Sequence, residues 1–283
     1  MLAFFAALRK LCLVNFPRIS ASSYSNTAPL VWSFLYGRNH GKVEIILDNA
    51  PARSAELLAQ DRVDAALVPV IAYQTIDELN LIPDVCVGAR EKVRSVCLIT
   101  KGEELKDVRV VSLDASSLTS VVLTKIIFRE FLGFEPEWRQ AEPNIDNMLS
   151  DADGALLIGD PALKLSDPVL RNRPPALRIF DLAELWHEHT GLGFVFATWM
   201  TRRGKTPIDF ALARDEGVAH LDEIVANYEN DIPLGLNEMK EYLSQNISYS
   251  IDESMQRGMK LYFELAARNG FIRENKHLRF AAD

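Results

Sequence analysis

Five short segments carry the residue types that can hold a small anion or work on it. The first is Ser22-Ser23-Tyr24-Ser25-Asn26-Thr27-Ala28-Pro29-Leu30. Hydroxyls and an amide there stand at a strand-to-helix junction, where free N–H groups and the helix dipole favour negative charge. The same side chains also serve as plain helix caps. The second is Arg90-Glu91-Lys92-Val93-Arg94-Ser95, just after Gly88. It is a local positive cluster whose Arg94 suits a carboxylate in a two-pronged contact, or else a solvated turn. The third is Asp114-Ala115-Ser116-Ser117-Leu118-Thr119-Ser120. Ser116, Ser117, Thr119 and Ser120 together exceed what one cap needs, which tilts the segment toward anion binding.

The fourth segment is Ile158-Gly159-Asp160-Pro161-Ala162. Gly159 allows close backbone approach, while Asp160 either meets a ligand or caps a helix that has Pro161 at its first position. The fifth runs from Trp186 through Thr190-Gly191-Leu192-Gly193 to Phe194 and Trp199. Its glycines precede a very apolar strand, so it reads as a hinge between lobes or as a loop and core strand. Nucleophile-elbow, Walker, dinucleotide and HExxH motifs are absent. Cys12, Cys86 and Cys97 have no CxxC spacing, and His187 and His189 do not share a helical face. No metal and no cofactor are expected. On residues alone, a binding protein and an enzyme are equally supported.

Alternating strands and helices must position these segments. Strands are predicted at 43–47, 64–70, 93–100 and 108–113. A short helix capped by Ser54 carries Ala55, Leu57 and Leu58. The clearest helix follows Leu113, with Leu123, Ile126, Ile127, Phe131 and Phe134 on one face and Gly133 at its end. Residues 57–69 and 148–161 echo each other: helix, acidic turn at Asp64 or Asp153, apolar strand, then a Pro-bearing turn. Two echoes imply two similar α/β lobes, with a ligand cleft between them at the strand ends. Lobe 1 is expected to comprise 1–98 and 199–283, and lobe 2 residues 99–198. Helices at 207–230, 237–245 and 252–269 pack back on lobe 1. The stripe of Met255, Met259, Tyr262, Phe263 and Ala266 is read as core.

The chain has 283 residues, 48% hydrophobic and 25% charged, with a net charge of −8. That composition is globular and argues against nonspecific nucleic-acid binding. Few cysteines fit a reducing, cytoplasmic compartment. No stretch is apolar for long enough to span a membrane, and the extension at 1–17 puts its basic residues after the apolar run, the wrong order for a secretion signal.

In chain order, Tyr24 to Leu30, Asp64 to Val70 with Tyr73, Arg94-Ser95-Val96, Leu113 to Ser120, Ile158-Gly159-Asp160, and Trp186 to Trp199 resemble the landmarks of chorismate dehydratase, a family of the futalosine route to menaquinone. Tyr24 to Leu30 is similar to that family's SYLNTxPL segment. Ser25 stands where the family has Leu, and Gly193 where it has Pro, a change expected to loosen the hinge strand. The resemblance implies a type II periplasmic-binding-protein-like fold in the cytoplasm and conversion of chorismate to 3-[(1-carboxyvinyl)oxy]benzoate and water. The proton is taken by the substrate's own enolpyruvyl carboxylate, and neither cofactor nor membrane partner is involved. It implies Asn26 and Ser95 as the catalytic pair. Ser23, Tyr24, Thr27, Arg94, Ser116, Ser117, Thr119, Ser120, Gly159, Asp160, Thr190 and Gly191 then bind the anionic substrate. The competing readings are a solute-binding protein for a small carboxylate, the sister dihydroxynaphthoate synthase, which uses a histidine, and a regulatory effector domain.

Overall fold

The structure, a computed structural model, describes residues 16–102, 104–166 and 176–282. The extension expected at 1–17 therefore lies outside the described residues up to position 15, and so does Cys12.

The chain opens with β1 (Arg18–Ser22), α1 (Ala28–Leu35), β2 (Glu44–Asp48), α2 (Pro51–Ala59), β3 (Ala65–Pro69), α3 (Ala72–Thr75) and β4 (Asn80–Ala89). It then crosses to β5 (Val96–Thr100), β6 (Val110–Asp114), α4 (Thr119–Ile126), β7 (Glu137–Ala141), α5 (Ile145–Met148), β8 (Gly154–Ile158), α6 (Gly159–Leu163), β9 (Arg178–Asp181) and α7 (Leu182–Thr190). The return strand is β10 (Phe194–Thr201), followed by α8 (Phe210–Ala219), α9 (Leu221–Asn227), α10 (Leu236–Glu241) and α11 (Glu253–Arg268). Two five-stranded sheets result, ordered β2-β1-β3-β10-β4 and β7-β6-β8-β5-β9. In the first, β1, β2 and β3 run parallel and β10 lies antiparallel beside β3; in the second, β6, β7 and β8 run parallel and β5 lies antiparallel beside β8. β3, β5 and β8 are buried along their whole length, as apolar runs covered on both faces must be.

Sheet membership places the two crossings earlier than the expected boundaries at 98/99 and 198/199. Val96 already pairs with Ile158 in the second sheet, and Phe194 already pairs with Ala89 in the first. Apolarity alone does not mark where a buried run changes sheet; pairing does. Ser54 is also not a cap. α2 starts at Pro51, and Ser54 is buried inside it with its hydroxyl 2.9 Å from that of Ser20 on β1. The helix after Leu113 behaves as predicted through Ile127. It continues as a wide π-turn, Ile127–Leu132, and ends at Gly133 with φ +78°. The wide turn shifts the face, so Phe128 is fully buried while Phe131 and Phe134 are only partly so.

α11 packs on β10 through the predicted stripe, all of it buried. A Cβ on Gly258 would lie 1.9 Å from the Gly193 carbonyl, and one on Gly193 would lie 2.7 Å from Met255. Gly193 therefore permits close packing of α11 against the return strand, where a looser hinge was expected.

Candidate functional site

The sheets meet where the loops after their parallel strands face one another. Between them lies a cavity of about 60 Å³. From the first sheet's side it is lined by Ser22, Tyr24, Asn26, Thr27, Leu67 and Phe196, and from the second's by Val96, Ser117, Thr119, Ser120, Ile158 and Gly159.

Asn26 sits in a short 3₁₀ turn, Ser25–Thr27, between β1 and α1. The Thr27 hydroxyl donates to the Ser22 carbonyl at 2.6 Å and the Tyr24 carbonyl at 2.8 Å, which fixes the loop. Opposite, α4 begins at Thr119 without a side-chain cap, and Ser117, Thr119 and Ser120 at its start line the cavity. The Thr119 hydroxyl accepts from the Ile71 N–H at 3.3 Å and keeps its own proton to donate. Capping, the plainer reading of this segment, is thus not what these hydroxyls do.

Gly159 has φ +62° and passes its N–H to the Ser95 carbonyl at 2.7 Å. Any Cβ at Gly159 would fall 2.5 Å from the Tyr24 ring, so the two lobes touch here because this residue has no side chain. Beside it, Asp160 accepts from the Ser25 N–H at 3.1 Å and from the Ser25 hydroxyl at 2.5 Å. The serine that departs from the family pattern therefore partners the aspartate across the cleft. Burial raises the Asp160 carboxyl above its ordinary range, against the lowering pull of Ser25. Burial likewise raises Asp114, whose oxygens take the N–H and hydroxyl of Ser116 and the N–H of Ile158. Tyr24 is also raised, mainly by burial.

Tyr24, Asn26, Thr27, Ser117, Thr119, Ser120 and Gly159 thus line one cavity from both sides, and several expected site residues do not join them. Ser23 donates to Asn49 at 2.6 Å, outside this cavity. Ser116 is held by Asp114, and Asp160 by Ser25. Arg94 pairs its guanidinium with Glu238 and is not among the residues lining this cavity. Its backbone has φ +62° and its N–H donates to Asp181 at 2.6 Å, which anchors the crossing between sheets. The Thr190 hydroxyl donates to the Trp186 carbonyl at 2.7 Å, and Gly191, at φ +66°, ends α7. Both terminate a helix away from the cavity. Ser95 is fully buried directly behind Val96; its hydroxyl reaches the Val93 carbonyl only at 3.4 Å. Sequence reading missed the apolar wall of Leu67, Val87, Val96, Ile158 and Phe196, which has the same pattern as core strand.

A family model described as menaquinone biosynthesis matches residues 17–268. A chorismate dehydratase of Thermus thermophilus is 32% identical over 235 residues, covering 77% of this chain and 85% of that protein. Among solved structures, the Candida albicans CA3427 gene product, described as having the generic periplasmic binding protein fold, superposes with a TM-score of 0.64 at 12% identity, covering 95% of this chain and 98% of that one. The periplasmic aliphatic sulphonate binding protein SsuA of Escherichia coli gives 0.59 at 14% identity, with 94% and 96% covered. These structures share the two-lobed periplasmic-binding-protein fold. The match along the chain and the dehydratase relative go further: this chain belongs to the menaquinone-biosynthesis family represented by chorismate dehydratase.

Proposed function

We propose that this protein is a cytoplasmic hydro-lyase that converts chorismate to 3-[(1-carboxyvinyl)oxy]benzoate and water. The observation that carries the reading is the composition of the cavity wall. Asn26 and hydroxyls stand around an uncapped helix start, and among the described residues lining it there is no carboxylate, imidazole or amine. Such a wall binds anions through N–H and O–H groups and supplies no strong base of its own.

Dehydration of chorismate suits that wall. A ring proton and the ring hydroxyl leave together as water, and the ring becomes aromatic, which supplies driving force. The substrate's enolpyruvyl carboxylate serves as the base. The protein's part is to orient the dianion and favour the charge that develops. Asn26 orients the substrate through its amide, and Ser95, buried behind the wall in the empty protein, turns its hydroxyl to a carboxylate or the departing hydroxyl when the walls part to admit substrate. Ser117, Thr119, Ser120 and the α4 N–H groups hold the other carboxylate. The small cavity makes closure over the substrate part of the cycle, excluding bulk water. A histidine-based sister reaction suits the wall less well: His187 turns Nδ1 toward the Leu192 carbonyl and His189 stacks on Phe131.

The test is incubation with chorismate alone, followed by chromatography and mass spectrometry. Protein-dependent loss of one water is expected. Asn26→Ala and Ser95→Ala should each lower turnover at least about tenfold, roughly 1.4 kcal/mol of barrier. Intact chorismate beside folded protein removes the reading, and near-normal turnover in both variants removes the two roles.

A further inference from the structure

Behind the cavity wall lies a polar group with no assigned task. α10 continues into a π-turn, Tyr242–Asn246, and this stretch lies along the crossing between the sheets. Residues spaced four apart mark the contact. Glu238 pairs with Arg94, Tyr242 lies against Ser95, and the Asn246 amide donates to the Lys92 carbonyl at 3.5 Å. The ring of Tyr242 is fully buried. Its oxygen comes within interaction range of the Ser95 hydroxyl and the Asn26 amide, yet neither contact is aligned as a hydrogen bond and the hydroxyl has no partner. Burial holds the phenol well above its ordinary pKa, so it is an O–H donor throughout the working range.

A buried hydroxyl without a partner is costly, and phenylalanine fills the same space without that cost. Trp186, Trp199 and Tyr249 also carry unpartnered buried polar atoms. Tyr242 differs from them in its neighbours. It lies beside the two polar side chains proposed as the catalytic pair, one on the cavity wall and one directly behind it. Next to it stands Arg94 at φ +62°, an unfavourable backbone that the Glu238 and Asp181 contacts hold in place.

We propose that Tyr242 is a positioning residue of this site: its O–H aligns the Asn26 amide and the Ser95 hydroxyl toward the bound substrate. The role rests on the chorismate reading. When the lobes close on substrate, ordering of Asn26 and Ser95 gives the phenol its missing partner, so the bond is strongest in the working complex and weakest in the empty protein.

Tyr242→Phe tests this, with full-length protein and chorismate as the probe. The expected result is a kcat at least about tenfold lower, a KM within about threefold of wild type, and a thermal midpoint equal or higher. In the double variant Tyr242→Phe/Asn26→Ala, the loss should be smaller than the product of the two single losses, because one residue acts through the other. A kcat within twofold of wild type overturns the role, as does full multiplication in the double variant. A markedly lower midpoint also overturns it, since the hydroxyl is then structural. Wild-type protein that leaves chorismate intact overturns the functional reading, and this role falls with it.

Discussion

β1–β3 and β6–β8 are built to one plan, and the loops they carry are wired differently. In the first set, Asp64 accepts the Arg18 N–H at 2.8 Å and returns its own N–H to the Arg18 carbonyl at 2.7 Å. In the second, Asp153 accepts the N–H groups of Arg109 at 2.9 Å and Val110 at 3.0 Å, and returns its own to the Val110 carbonyl at 3.0 Å. Each acidic turn thus fixes the start of its sheet's central parallel strand. Past the strand ends the likeness stops. In the first loop, 23–27, Thr27 ties its hydroxyl to the Ser22 and Tyr24 carbonyls, Ser25 to Asp160 and Ser23 to Asn49. The second, 115–118, leads into a helix with no side-chain cap. One loop's hydroxyls are taken up by protein acceptors, while Ser117, Thr119 and Ser120 of the other line the cavity. A binding fold made of two like halves can divide labour between them by changing only the loops.

The most damaging way to break this arrangement is at the point of contact. Gly159→Val puts a β-branched side chain at φ +62° and drives it into the Tyr24 ring. Strain and overpacking together should cost about 3 kcal/mol. Urea denaturation should show it, with turnover lost because the lobes no longer close. A variant of wild-type stability would mean that Tyr24 moves aside freely and that the contact is incidental. The paired aspartates come next. Asp153→Ala removes the acceptor of two backbone N–H groups and should cost about 2 kcal/mol, against about 1 kcal/mol for Asp64→Ala, which removes the acceptor of one and an exposed ion pair to Arg203. Equal losses would remove the asymmetry claimed for the two turns.

Much of this plan is legible in the chain. The echo around Asp64 and Asp153 is a local pattern, and so are the Gly133 stop and the apolar face beginning at Leu123. The cavity's polar residues are legible for the same reason: Asn26, Ser117 and Gly159 follow strand ends. What sequence does not carry is the partner of a polar group. Arg94 reads as a free cation until Glu238, far along the chain, is placed beside it. Asp160 reads as a ligand contact until Ser25 takes both its oxygens. Thr190 and Gly191 gather near other site strings yet satisfy only their own helix end. Long-range pairing decides whether a charge or hydroxyl remains available, and pairing is a property of the fold.

The two loops can be separated by removing hydroxyls one at a time. Thr27→Val removes the donor to two carbonyls of its own turn, so its effect should be a stability loss of roughly 1 kcal/mol. Ser117→Ala and Ser120→Ala should leave the denaturation midpoint in place and raise the KM for chorismate about threefold each, roughly 0.7 kcal/mol of binding. If stability falls in the serine variants and KM rises in Thr27→Val, the assignment of fixed and open loops is reversed.

The smallest effect concerns the latch between the loops. Burial raises the Asp160 carboxyl above its ordinary value of 3.8, with Asp231 adding to the rise and Ser25 and Lys164 opposing it. A raised carboxyl binds its proton more tightly folded than unfolded. Its stabilising share is therefore complete below the unfolded value and is lost as pH rises through the folded one. At neutral pH the ionised latch is a burden. Asp160→Asn keeps an acceptor for the Ser25 N–H and, through its amide, a donor to the Ser25 oxygen, while carrying no charge. The variant should be more stable than wild type at pH 8 by under about 1 kcal/mol, and the gap should shrink as pH falls toward 4. Asp114 and Asp181 shift in the same direction but are common to both proteins, so the difference between urea midpoints isolates Asp160. A gap that widens on acidification would mean that Asp160 is held as a carboxylate, and the contact across the cleft would then be a charge-assisted anchor that favours the closed state more strongly at neutral pH than in acid.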